Sequence, residues 1–122
     1  DLKTIFIVDD TELNVNVLMD LLDEKYDILA SLDGESALEI IQEEKVDLIL
    51  LDIMMPGIDG FEVCKRLKQD PKTSDIPIIF ITSKTDDDSI EKAYEIGGVD
   101  YITKPFRARE VLSRIENHLS LK

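Results

Sequence analysis

The sequence has little cysteine, little histidine, few positive charges and no long hydrophobic run, and each shortage excludes something. Its single cysteine, Cys64, cannot form an internal disulfide. A lone thiol on a helical pattern reads as a small apolar packing residue, which fits a reducing compartment. No apolar run approaches the roughly 20 residues of a membrane span, and no signal-peptide pattern opens the chain. A cytoplasmic location is therefore expected. Fourteen bases stand against 27 acids, for a formal net charge of −13. Long-range electrostatics then oppose nucleic acid and anionic membranes, so proteins or cations are the expected partners. The one histidine, His118, falls on a polar face of the last helical pattern and reads as a solvated surface residue rather than a phosphodonor.

What is present suits one globular domain. A chain of 122 residues, 43% hydrophobic and 34% charged, buries roughly two thirds of its unfolded surface and leaves no room for a second core. The first residue is Asp rather than Met, and the last residues continue a helical pattern. Residues 1–122 are thus expected to be a single domain cut from a longer polypeptide.

The stretch Asp47 to Gly60, DLILLDIMMPGIDG, organises the rest. Leu48 to Leu51 is an unbroken apolar run that reads as a strand buried on both faces. Met54 to Gly57 cannot continue it, because Pro56 has no N–H for a ladder and Pro-Gly marks a turn. Asp52 therefore stands at the lip of a buried sheet. Other strands are read at Leu2 to Val8, Tyr26 to Ala30, Ile76 to Ile81 and Val99 to Thr103. Between and after them, five amphipathic patterns predict helices. The first has Thr11 as its cap and Leu13, Val17, Leu18, Leu21 and Leu22 on one stripe, and another runs from about Gly60 to Lys68. The acids Asp86 to Asp88, after Thr85, read as the start of the fourth helix. The last helix begins at Phe106. Strict alternation of five strands and five helices predicts an α/β fold, a parallel sheet with helices on both faces.

All strands of such a sheet present their C-terminal ends to one edge, where ligands bind. Strand one delivers Asp9 and Asp10, strand three Asp52, strand four Thr82 and Ser83, and strand five Lys104; strand two delivers nothing chemical. Three clustered carboxylates repel one another unless a cation sits among them. An all-oxygen donor set with room for waters suits Mg²⁺, with Mn²⁺ as an alternative occupant. Mg²⁺ in turn points to phosphate, which the Lys104 ammonium and the Thr82 hydroxyl could contact. A carboxylate can itself be the nucleophile in phosphoryl transfer, and Asp52 is the best placed.

Taken together, these residues resemble the response-regulator receiver domain of two-component signal transduction. The resemblance rests on Asp9-Asp10, LLDIMMPGIDG around Asp52, Thr82-Ser83 and Lys104-Pro105-Phe106, and it covers essentially the whole chain. It implies a flavodoxin-like, doubly wound five-stranded sheet of order 2-1-3-4-5. It implies that Asp52 is the phosphoacceptor and that Asp9 and Asp10 hold Mg²⁺ with the backbone carbonyl of Met54. Thr82 would be the switch hydroxyl, Tyr101 the switch aromatic and Lys104 the phosphate-binding lysine, followed by a cis peptide at Pro105. The implied partners are a sensor histidine kinase or a histidine phosphotransfer protein, and an effector or a second copy met by the face of the fourth helix, fifth strand and fifth helix. The long cation Lys84, two residues past Thr82, is expected to obstruct an attacking water and slow autodephosphorylation.

Two other classes fit less well. A haloacid-dehalogenase-type phosphatase also forms an aspartyl phosphate, but wants Asp-x-Asp after strand one and a cap domain; this chain has adjacent acids and no room for a cap. A flavodoxin-type carrier lacks its phosphate loop here, and the acids after strand one would repel FMN. Relay and output roles, and stand-alone and hybrid-kinase settings, both remain open at this level.

Overall fold

The computed structural model describes residues 1–83 and 87–120. Its elements run β1 (Thr4–Val8), α1 (Glu12–Leu22), β2 (Asp27–Ser31), α2 (Gly34–Glu43), β3 (Leu48–Asp52), α3 (Gly60–Gln69), β4 (Ile78–Thr82), α4 (Asp87–Glu95), β5 (Asp100–Thr103) and α5 (Ala108–Ser120). The five strands form one parallel sheet of order β2-β1-β3-β4-β5, the flavodoxin-like α/β fold expected.

Strand alternation sorts the apolar residues into two cores, one on each face of the sheet. Ile5, Ile7, Leu48, Leu50, Ile79, Ile81 and Ile102 pack against Val15, Leu18 and Leu22 of α1 and Val111 and Ile115 of α5. Phe6, Val8, Ile49, Leu51, Ile78 and Phe80 pack against Ala37 and Ile41 of α2, Val63, Cys64 and Leu67 of α3, and Ala93 of α4. Every residue of β3 and β4 is buried, which explains why those runs show no polar alternation. Cys64 is fully buried, its thiol on the Ile96 carbonyl oxygen at 3.5 Å, and desolvation pushes it up to about 11, so it is an inert packing residue.

Several boundaries and faces differ from the sequence reading. The buried stripe of α1 is Val15, Leu18 and Leu22, while Leu13 and Val17 face outward. Residue spacing alone allowed either stripe, because α1 is apolar over much of its circumference. Thr11 occupies the N-cap of α1 without a side-chain bond. β4 starts at Ile78, because Pro77 precedes the ladder and only its carbonyl oxygen takes part, accepting from the Ile49 N–H at 3.0 Å. α5 begins at Ala108, leaving Phe106 packed in the α1/α5 core. His118 is not solvated: its ring Nε2 lies 2.9 Å from Asp100 Oδ2 and its side chain is 13% exposed. Thr85 and Asp86 lie outside the described residues, and α4 is described from Asp87.

Gly60, the first residue of α3, makes the closest approach to the central strand. Its N–H donates to the Ile53 carbonyl oxygen at 2.9 Å, and a Cβ there would overlap the Asp52 carbonyl oxygen and lie 2.9 Å from Ile53 Cα. Backbone on both sides leaves nothing flexible to yield. Gly60→Ala is expected to destabilise the fold by about 1–3 kcal/mol, the range for overpacking, read as a lower urea midpoint at unchanged m-value.

Candidate functional site: an acidic pocket at the sheet edge

Alternation also decides where the chemistry points. Asp9 follows Ile5 and Ile7, Asp52 follows Leu48 and Leu50, and Lys104 follows Ile102, so all three belong to the α1/α5 face at the C-terminal edge of the sheet. Thr82 follows Ile78 and Phe80 and so belongs to the other face, the one on which Tyr101 packs.

The structure brings the first group together. One carboxylate oxygen from each of Asp9, Asp10 and Asp52 lies within 4.8 Å of the others; Asp9 and Asp52 are buried and Asp10 is exposed. Lys104 Nζ lies 3.2 Å from Asp52 Oδ1 and 3.5 Å from Asp9 Oδ2, a single ammonium between two buried acids. Asp9 is fixed further. Its backbone N–H donates to the Ser31 carbonyl oxygen at 3.1 Å, its Oδ1 accepts the Thr11 N–H at 2.9 Å, and the Asn14 amide lies 3.3–3.4 Å from both its oxygens.

Burial raises Asp52 to about 6, with Asp9 adding to the shift, Lys104 opposing it and Asp10 contributing least. Three carboxylates against one ammonium leave a net negative pocket, and one oxygen of each acid converges on a common point. That donor set, free of His and Cys, fits a hard divalent ion, which Asp9, Asp10 and Asp52 would hold.

The other expected residues fall as follows. Met55 is core, whereas the Met54 side chain is 57% exposed, next to Asp52 in the β3–α3 loop. Thr82 is buried at the end of β4, one register step beyond Ile81, the partner of Asp52. Ser83 is exposed. Tyr101 is half-buried on β5, and the Lys104-Pro105 peptide is cis. Lys84 lies outside the described residues.

Two contributors escaped the sequence reading. Asn14 had a detectable signal, since it stands one helical turn beyond Asp10 on α1. By residue identity strand two is chemically silent, yet the Ser31 carbonyl braces Asp9; a backbone acceptor leaves no mark in residue identity.

An acid raised in the folded state destabilises the fold wherever the unfolded chain ionises first. For Asp52 the cost is absent below about pH 4, grows as pH rises towards 6 and is full above it. Asp52→Asn should therefore stabilise the metal-free protein by about 1–3 kcal/mol at pH 8. The gain should shrink at pH 5 and vanish below pH 4, as measured by urea unfolding in chelator.

Comparison with known proteins agrees with this geometry. Residues 5–116 match the response regulator receiver domain. A Vibrio cholerae protein named "Probable cyclic di-GMP phosphodiesterase" is 40% identical over 119 residues; the match covers 98% of this chain but only 27% of that protein. The signal receiver domain of a signal transduction histidine kinase from Syntrophus aciditrophicus superposes with a TM-score of 0.89 at 31% identity, covering 97% of this chain and 90% of the other. The BeF3-activated receiver domain of DrrB, from Thermotoga maritima, superposes with a TM-score of 0.87 at 31% identity, covering 98% and 99%. With its fold, its acid pocket and its lysine all in agreement, the chain belongs to the response regulator receiver domain family.

Proposed function

We propose that this domain accepts a phosphoryl group on Asp52 from a phosphohistidine of a partner kinase or phosphotransfer protein, and that it signals by repacking the α4-β5-α5 face. The observation that carries this reading is the pairing of a buried Asp52 with Lys104 at 3.2 Å beside the acids Asp9 and Asp10. A DrrB receiver domain of similar fold in a BeF3-activated form lends it further support.

In the transfer, an Asp52 carboxylate oxygen forms a bond to phosphorus as the P–N bond to the donor imidazole breaks; the imidazole nitrogen keeps the electron pair and takes up a proton. Lys104 follows the developing charge, since the ammonium that now touches Asp52 Oδ1 needs only a small movement to reach a phosphoryl oxygen on the same carboxylate. Asp9 and Asp10, with the Met54 backbone carbonyl, would hold Mg²⁺ or Mn²⁺. A bound ion would supply positive charge to offset that on the oxygens of the transferring group. Asn14 and the Thr11 N–H keep the Asp9 carboxylate oriented for that task.

Aspartyl phosphate carries a charge of about −2 where a carboxylate of single charge stood. Thr82 donates its hydroxyl to the new oxygens together with the Ser83 backbone. Its displacement frees space on the sheet face it shares with Tyr101, which follows it inward. α4, β5 and α5 then offer an altered surface to an effector or a second copy. The Vibrio cholerae relative, of which this chain covers about a quarter, supports a setting in which a receiver controls a larger protein.

With acetyl phosphate or phosphoramidate and Mg²⁺, the wild type should gain one acid-labile phosphate by intact mass, and Asp52→Asn none. Persistent full labelling of Asp52→Asn would overturn the assignment. Chelation of the metal should slow labelling at least tenfold, and Thr82→Ala should accept phosphate yet lose most of the spectral change that follows it.

A further inference from the structure

At the start of β5, away from the acid pocket, an ion-pair network ties the edge strand to α5. Asp100 Oδ1 accepts from Arg114 Nη1 at 2.6 Å and from the Tyr101 backbone N–H at 2.8 Å, while Oδ2 meets His118 Nε2 at 2.9 Å. Arg114 and His118 stand one turn apart on α5, and the side chains of Asp100 and His118 are each only 13% exposed. These bonds outweigh burial and hold the Asp100 carboxyl below its ordinary range.

The same arginine reaches the next residue. Its guanidinium carbon lies 5.7 Å from the centre of the Tyr101 ring, which also meets Tyr94 of α4 edge-on at 6.4 Å. Asp100 is bonded to α5 on one sheet face and Tyr101 packs with the core of the other. Only because β5 is the last strand can one side chain reach round the edge to both. Arg114 Nε is buried without a hydrogen-bond partner, so Asp100 does not satisfy the whole fork and the arrangement is not the best the arginine could have.

We propose that Asp100, Arg114 and His118 form a proton-sensitive latch that sets the resting position of Tyr101, with Arg114 as the positioning residue for its ring. The latch rests on the reading of Tyr101 as the reporter of phosphorylation and adds what holds the ring before phosphate arrives.

Charge decides its direction. A neutral imidazole gives Asp100 an ordinary hydrogen bond, and an imidazolium gives a charge-assisted one. Among the described residues, the groups that face the network are Asp100 and Tyr101 of β5, Tyr94 of α4, and Glu110 and Arg114 of α5; Glu116 is engaged with Lys25. Among these side-chain types only histidine ordinarily changes charge between pH 5 and 8. Falling pH therefore tightens Asp100 onto α5, keeps Arg114 over Tyr101 and opposes switching; rising pH loosens it.

The test is aromatic NMR of the unphosphorylated domain from pH 5.5 to 8, with the Tyr101 ring assigned through Tyr101→Phe. The His118 and Tyr101 ring signals should move with a common midpoint. In His118→Gln, which keeps a donor for Asp100 and cannot titrate, the Tyr101 signals should stop responding. Arg114→Lys keeps the charge without the planar fork, and should raise the population of a second Tyr101 position on the order of fivefold or more. Tyr101 signals indifferent to pH and to Arg114→Lys in folded protein would overturn the latch. Asp52 labelling, followed by mass in the same variants, separates the two readings: a ring that obeys the latch but ignores phosphate supports the latch and removes Tyr101 from the switch.

Discussion

One ammonium placed between two buried carboxylates governs this molecule. Lys104 lies within 3.5 Å of both Asp9 and Asp52, neither of which reaches solvent to any useful extent. Without it the sheet edge would hold two adjacent buried anions, an arrangement that costs several kcal/mol per ion. With it the pair is tolerated but not neutral, and Asp52 remains at about 6. The residual negative charge suits a divalent cation, and Asp52 is a more basic carboxylate than an exposed aspartate.

The distribution of charge along the chain amplifies this. Sixteen acids and three bases precede Phe61, and eleven of each follow Gly60, so the formal charge of −13 lies entirely in the first half. Sheet order makes that a spatial division, because β2, β1 and β3 form one side of the sheet and β4 and β5 the other. The acid pocket lies along the seam. An anion approaching the pocket would meet a repulsive field on one side and Lys104 on the other.

The fold was almost wholly legible, because buried parallel strands write themselves as short apolar runs and their ends as acids, hydroxyls or a lysine. Asp9, Asp52 and Lys104 could be placed at one edge from that rule alone. What stayed hidden depended on rotation or on backbone. Leu13 and Val17 lie on the exposed side of α1, a matter of tens of degrees that residue spacing in an apolar helix does not resolve. The Ser31 brace on Asp9 uses a carbonyl oxygen that every residue has. His118 looked like a surface residue because its helix face is polar. Its partner Asp100 lies 18 positions away on a strand, and only the packing of α5 on β5 brings them together.

That packing gives β5 a role beyond closing the sheet. Over five consecutive residues the strand and its exit carry Asp100 on the α5 face, Tyr101 on the α4 face, the buried anchor Ile102, Thr103 in register with Thr82, and Lys104 on Asp52. Ile102 is fully buried and the ladder to β4 fixes the register, so the strand cannot slide. With the backbone fixed in this way, any rearrangement along β5 would fall to its side chains. Tyr101 packs on the core of the α4 face, with Tyr94 edge-on at 6.4 Å and the Arg114 guanidinium carbon 5.7 Å from its ring centre. An edge strand is the one place in a doubly wound sheet where a side chain can exchange between such neighbours without breaking a ladder. Sheet topology itself thus gives Tyr101 neighbours from both faces of the sheet.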